Sequence, residues 1–384
     1  LASKPTNLPG STQARLLLSV DASLFDIPNS EIAGWLRDAN YTVINQAATV
    51  ANLKQVQGDG VFFWITHGSY AVDPAAHVSV WTLWTADAVT DANNAAFKDD
   101  LDDHSLVYFT ANNEFDPVTK KFTARTHYAI TDNFVTKYQW SFADYPFIFV
   151  DACHSDQYGM ANSLMARASK VGTSFGWSDT VYTDAAARAP RFAFDRLLGN
   201  SKAAPAPSTA QRPFDGSAVF RELHAVGADT STANATVIVA RSGAPPALRP
   251  SIMRMEVTER LSESPLHGPT KLTLYGIFGD AQGTVKVGGV ELPIQSWATD
   301  KIVATPADLP GPGFSGLVQV ISNSRESNAV ELTQWHGQLK YQITPYPPQS
   351  TSTAVSHIDC DVYFRGDLHP YRDDAGADLL DPDP

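Results

Sequence analysis

Two short apolar runs each end in a side chain that can take part in acyl transfer. Val61-Phe62-Phe63-Trp64-Ile65-Thr66 leads into His67-Gly68, and Phe147-Ile148-Phe149-Val150-Asp151-Ala152 leads into Cys153-His154-Ser155. A free cysteine is mostly thiol at neutral pH and needs a nearby imidazole to become a nucleophile. His67 is the candidate for that role, and for returning a proton to a leaving amine. Gly68 turns the chain without a side chain, which leaves its N–H to point at a reacting carbonyl oxygen. The Cys153 N–H is the second candidate donor. His154 is set aside as the base, because neighbours on an extended strand project to opposite faces.

Both runs read as buried strands of a parallel sheet, and open α/β sheets carry ligands at the carboxyl ends of such strands. The elements that would position them follow in order. A strand is expected over 15–25, and a helix after Pro28 with Ile32, Trp35, Leu36 and Ala39 on one face. A strand at 41–44, a short helix at 49–56 and the strand at 61–66 come next. Residues 69–130 read as less regular, with an acidic surface cluster Asp99–Asp103 and a hairpin of 106–110 with 121–128. A helix at 131–140 leads into the Cys153 strand. A helix at 161–168, a strand at 170–177 and a helix at 184–198 stopped by Gly199-Asn200 follow. A further helix near 218–225 and a strand near 235–240 complete an α/β domain over 1–246, after a linker-like 203–213. Beyond the Pro- and Ala-rich 243–250 only short strands and turns are expected: an all-β domain over 250–335, then a two-strand extension with an acidic tail over 336–384.

The 384 residues suit two or three domains, and a 43% hydrophobic content suits a sizeable core. A net charge of -13 argues against nucleic acid as a partner, since no basic patch is available for phosphates. No apolar run reaches the roughly 18 residues of a membrane helix. Two cysteines, Cys153 and Cys360, exclude a disulfide scaffold. The chain begins at Leu1, which reads as a processed or truncated form. Together with abundant Ser, Thr, Ala and Asn and few Lys, this leans toward a secreted or cell-surface bacterial protein.

The His67-Gly68 and Ala152-Cys153 pair, each after a strand and in this order, resembles the caspase-like cysteine peptidases: caspases, metacaspases, legumains, clostripains, gingipains and the CHAT domains. Asp151-Ala152-Cys153-His154-Ser155 is most similar to the Asp-Cys-Cys-His-Ser-Gly motif of metacaspases, and the resemblance covers about residues 15–200. It implies an α/β/α sandwich with a mostly parallel sheet, a His67/Cys153 dyad and a peptide or protein substrate. It also implies a lean to Arg or Lys before the cut bond, held by Asp151, with Asp21 as a second acid and Asp179 as a third by position. Asp156 departs from the pattern, which has Gly there. Calcium is required in part of this group, and Asp99–Asp103 is the candidate for it, although no spaced calcium loop is present. No Cys/His set has zinc-ligand spacing.

Residues 250–333 resemble an IPT/TIG domain, an immunoglobulin-like β-sandwich. The residues that carry this are Leu272–Gly279, Val285–Val290 with Gly288-Gly289 at a hairpin turn, and Trp297 in a small core. Two rival readings stand beside the peptidase. One is a CHAT-like scaffold with an Ig-like module that binds partners and is catalytically inactive. The other is a serine hydrolase, since Gly172-Thr173-Ser174-Phe175-Gly176 fits Gly-x-Ser-x-Gly. The apolar strand runs through Ser174, however, so Ser174 and Trp177 are better expected on a substrate-binding strand.

Overall fold

The computed structural model describes residues 7–20, 26–73, 78–116, 119–156, 160–200, 202–203, 216–231, 236–242, 247–258, 271–305, 316–332, 334–343 and 356–365. In chain order the first part runs β1 (Gln13–Leu18), α1 (Asn29–Asp38), β2 (Thr42–Ala47), α2 (Val50–Leu53), β3 (Gln57–Ile65), β4 (Gly68–Asp73) and β5 (Val78–Ala88). It continues through α3 (Asp91–Ala96), α4 (Lys98–Asp102), β6 (Leu106–Asp116), β7 (Lys121–Ile130), α5 (Asp132–Lys137), β8 (Ser141–Asp151) and α6 (Met160–Met165). β9 (Thr173–Trp177), α7 (Thr183–Leu197), α8 (Gly216–Ala225), β10 (Thr230–Ser231) and β11 (Thr236–Ser242) complete it.

The main sheet has the order β10-β11-β9-β8-β3-β1-β2. Its strands β9, β8, β3, β1 and β2 are parallel, β11 joins antiparallel to β9, and the short β10 lies antiparallel to β11 at the edge. Both faces are covered, and the side-chain period of two sorts each strand between them. Val61, Phe63 and Ile65 of β3, with Phe147 and Phe149 of β8, pack under α1, α7 and α8. Phe62, Trp64, Ile148 and Val150 point the other way, toward α2, α5 and α6. The unit is therefore an α/β/α sandwich. Helix α1 buries Ile32, Ala33 and Leu36, places Glu31 in its first turn and Arg37 in its last, and stops before Asn40 at φ 61°. Helix α7 stops before Gly199 at φ 69°.

The stretch expected to be irregular is a correction. Residues 68–130 hold a second, antiparallel sheet of order β4-β5-β7-β6. The expected hairpin is its β6–β7 half, while β4 and β5 were not legible. Strand β5 buries Trp81 and Leu83 on one side and Trp84 on the other, so it shows no apolar alternation to read. The first strand also ends at Leu18, short of the expected reach to 25, and residues 21–25 lie outside the description.

The second part contains β12 (Ser251–Thr258), β13 (Lys271–Ile277), β14 (Thr284–Val287), β15 (Val290–Leu292), β16 (Ile294–Trp297), β17 (Lys301–Ala304), β18 (Gly316–Ser322), β19 (Arg325–Glu326), β20 (Val330–Leu332), β21 (Gln334–Ile343) and β22 (Ser356–Arg365). Strands β12-β13-β17-β16 form one sheet and β15-β14-β18-β19 another, with β20 beside β18. The two sheets share a core of Met255, Leu274, Ile302, Val285, Val318 and their neighbours. Gly288 and Gly289 have φ 57° and 85°, as a two-residue turn between β14 and β15 demands. Trp297 is half-buried against Phe278, at the margin of the core it was expected to fill. Strands β21 and β22 pair antiparallel with each other. No helix among the described residues is long and apolar enough to cross a membrane.

Candidate active site

The two apolar strands lie side by side. Ile65 is in register with Asp151, and the Thr66 N–H donates to the Asp151 carbonyl at 3.2 Å. His67 and Cys153 thus leave adjacent strand ends at the same level. A cavity opens there, lined by Val20 after β1, by Ile65 at the end of β3 with Thr66 and His67 beyond it, and by Asp151 at the end of β8 with Cys153 beyond it. Its outer wall comes from Asp26, Ile27 and Pro28 ahead of α1, and from Val181, Thr183, Ala186 and Ala187 at the start of α7. Strand β1 has β2 on one side and β3 on the other, so the cavity sits where the strand order reverses.

Gly68 is explained by close approach. A β-carbon there would collide with the Cys153 carbonyl oxygen and come within 2.7 Å of Trp81 Cζ2. Only glycine lets the His67–Gly68 backbone lie against the Cys153 loop. The expected reason, a turn without a side chain, does not apply: Gly68 is the first residue of β4.

The Cys153 thiol is half-buried, with Sγ 3.4 Å from the Val181 N–H that donates to it and 3.8 Å from the Val181 carbonyl. Burial pushes the thiol's pKa up, the Val181 contact opposes this, and Asp151, when ionised, pushes it up further. The loop after Cys153 is stapled to β9. Ser155 Oγ donates to the Val150 carbonyl at 2.7 Å and accepts the Trp177 N–H at 2.9 Å. The N–H groups of His154, Ser155 and Asp156 go to the Asp179, Ala152 and Trp177 carbonyls. Gly176 leaves room for this loop, since a β-carbon there would sit 2.9 Å from the Asp156 nitrogen.

His154 has φ 56° and stands in this turn, with Nε2 3.6 Å from Asp179 Oδ1 and 3.5 Å from Thr180 Oγ1. It is not on an extended strand, so the alternation argument does not apply to it. What sets it apart from the cavity is this engagement with Asp179 and Thr180.

Asp151 is almost wholly buried at the cavity floor. Its Oδ1 accepts the Trp177 indole N–H at 2.6 Å, and no hydrogen-bond donor among the described residues reaches its buried Oδ2. Desolvation raises its pKa to about 8, with the indole hydrogen bond pulling the other way. Asp26 at the rim is already held by the Arg191 guanidinium at 2.6 and 2.7 Å, which keeps its carboxyl below the usual range.

The other candidates are scattered. Trp177 is fully buried behind Asp151, Asp156 is buried under β9, and Asp179 is exposed; none of these lines the cavity. Ser174 is buried mid-strand between Ile148 and Arg241, and the next helix begins only at Thr183. Asp21 lies outside the described residues. In the acidic cluster, Asp100 is buried against Lys54 and Lys137, Asp102 pairs with Lys98, and Asp103 pairs with Lys137. Among the described residues no group of three or more His, Cys, Asp or Glu is arranged to hold a metal. Val181 and the α7 wall were missed, because no spacing in the sequence ties them to either strand.

No family model matches the chain. No curated protein matches it either. Among solved structures it is similar to the Arg-specific cysteine proteinase gingipain R, with a TM-score of 0.36 and 13% identity over 85% of this chain and 68% of that one. It is also similar to a complex of Porphyromonas gingivalis RgpB pro- and mature domains, with a TM-score of 0.37 and 11% identity over 84% of this chain and 71% of that one. Similarity of this degree assigns neither residue roles nor a substrate.

Proposed function

We propose that the chain is a caspase-like cysteine endopeptidase that uses His67 and Cys153 on a peptide or protein substrate. The observation that carries this reading is their meeting in one cavity at the carboxyl ends of adjacent parallel strands, with Gly68 pressed against the Cys153 loop. His67 takes the proton from Cys153 Sγ, and the sulfur attacks the scissile carbonyl carbon. The oxyanion draws on the N–H groups of Gly68 and Cys153. Collapse expels the amine, which receives the proton from His67, and leaves a thioester. Water, deprotonated by His67, then releases the acid and restores the thiol.

The residue before the cut bond enters the cavity, whose apolar walls suit a methylene stem and whose floor carries the Asp151 carboxyl. This supports Arg or Lys at that position, paired with the unfilled Oδ2. No cofactor enters these steps, and calcium is taken as a variable of the assay. A secreted or surface location is part of the same proposal, as is an IPT/TIG-like, supporting character for the two-sheet unit. The inactive scaffold is the second reading. It draws on the upward push that burial gives the Cys153 thiol.

The test is hydrolysis of fluorogenic peptides with Arg, Lys, Asp or Asn before the bond, using wild type, Cys153→Ala and His67→Ala, with and without calcium. Turnover of Arg or Lys substrates that both substitutions abolish is expected. Cleavage only after Asp or Asn rejects the Asp151 assignment. Silence on all four, with no preferential alkylation of Cys153, favours the scaffold.

A further inference from the structure

Taking His67 as the base, the structure also shows what holds it. The imidazole lies 4.5 Å from the Trp84 ring at 52°, and the Trp84 N–H donates to the His67 carbonyl at 3.1 Å. Trp84 is in turn fixed on the second sheet. It is only 4% exposed, the His127 ring of β7 stacks on it at 4.3 Å and 18°, and Phe109 of β6 packs at 5.0 Å. The indole is thus enclosed by rings of the second sheet.

We propose that Trp84 is the positioning residue for His67, and that the β4–β7 sheet is the mount through which the imidazole gets its orientation. An aromatic face attracts a cation more than a neutral ring. When the proton moves from Cys153 Sγ to the His67 nitrogen, leaving its electron pair on sulfur, the indole favours the imidazolium that forms. Trp84 therefore raises the population of the reactive thiolate, against the burial that opposes it.

Other titrating groups surround the pair. Asp151 and Asp26 line the same cavity, His154 and Asp179 flank Cys153, and His127 lies on Trp84. Neither variant substitutes any of these groups, and Trp84→Phe keeps an aromatic ring against His127, which Trp84→Leu does not. In the full chain, Trp84→Phe retains an aromatic face and Trp84→Leu retains only apolar bulk. Three quantities are read: thiolate ultraviolet absorbance against pH with Cys153→Ala as blank, iodoacetamide alkylation, and kcat and KM on Lys and Arg peptides.

Trp84→Phe should stay close to wild type. Trp84→Leu should move Cys153 thiolate formation to higher pH, slow alkylation roughly tenfold and lower kcat with KM little changed. Equal thiolate titrations in the two variants, or a change in KM in place of kcat, would overturn the inference. Should Trp84→Leu not fold, histidine NMR of wild type and Trp84→Phe decides. His67 ring protons displaced by the indole ring current, and less so in Trp84→Phe, support it; undisplaced protons overturn it. A thiolate shift without turnover of any peptide rejects the peptidase reading and leaves the role of Trp84 standing.

Discussion

Asp151 concentrates the chemistry of the cavity in one side chain. Its carboxyl is tied at one oxygen by Trp177 and buried at the other, and burial lifts its pKa to about 8. An unfolded aspartate titrates near pH 4. Between those values the folded state holds a proton that the unfolded state has released, so stability must fall as pH rises from about 4 to about 8 and level off above. Below pH 4 both states are protonated and the dependence vanishes. The slope contributed by this one group is at most about 1.4 kcal/mol per pH unit. Asp151→Asn should remove it, which urea melts of both proteins at pH 5, 6.5 and 8 (about one point per relevant step) would show; parallel curves would refute the buried, protonated carboxyl. Substrate binding carries the opposite sign. A cationic side chain needs the ionised form, so KM for Lys and Arg peptides should drop as pH rises toward 8, and that drop should be lost in Asp151→Asn.

At the level of elements, the strand ends place the site but the loop after β8 has to be held in shape. Ser155 does this with one hydroxyl, bridging the Val150 carbonyl and the Trp177 N–H inside the protein. Ser155→Ala leaves both partners buried and unpaired, which costs about 1–3 kcal/mol. It should lower the denaturation midpoint and broaden Cys153 reactivity toward alkylating reagents; an unchanged midpoint would mean that water replaces the hydroxyl. Strands β3 and β8 were legible in the sequence because each is a continuous apolar run, buried on both faces and closed by polar residues. That legibility brought His67, Gly68, Asp151 and Cys153 together on paper. It failed for β4 and β5, where Trp81 and Trp84 are buried on opposite sides and no period emerges. It failed as well for the cavity wall at Val181 and Ala187, which reach Cys153 and Asp151 only through the packing of α7 on the sheet. Trp84 was invisible for the same reason, since its contact with His67 is made by the antiparallel sheet as a whole.

Across the whole molecule, the two-sheet unit is locked to the α/β unit by a buried cation. Arg325, at the start of β19, is 1% exposed; its guanidinium donates to the Tyr41 hydroxyl and to the carbonyls of Leu248, at 3.0 Å, and Pro9, at 3.5 Å. It also stacks on the Tyr41 ring at 5.0 Å. From the linker side, Arg249 reaches the Leu198 carbonyl at 2.9 Å and the Glu326 carbonyl at 2.7 Å. Tyr41 follows the carboxyl end of α1, the helix whose opposite end carries Ile27 and Pro28 into the cavity wall. Ten residues of helix span about 15 Å, so the β unit grips one end of a rod whose other end lines the cavity. Arg325→Ala strips the guanidinium from the Pro9 carbonyl and the Tyr41 oxygen, while the Leu248 carbonyl keeps the Tyr41 hydroxyl as donor, at about 1–3 kcal/mol for each group left unsatisfied. The expected result is a single thermal transition in wild type that separates into two in the variant, the β unit melting apart from the α/β unit. Assayed below the first transition, the variant should alkylate Cys153 at the wild-type rate, because neither β3 nor β8 is touched. Its KM should rise, because the α1 end of the cavity is no longer held. A single transition displaced as a whole would show that the units remain coupled without Arg325, and an unchanged KM would show that α1 transmits nothing to the cavity.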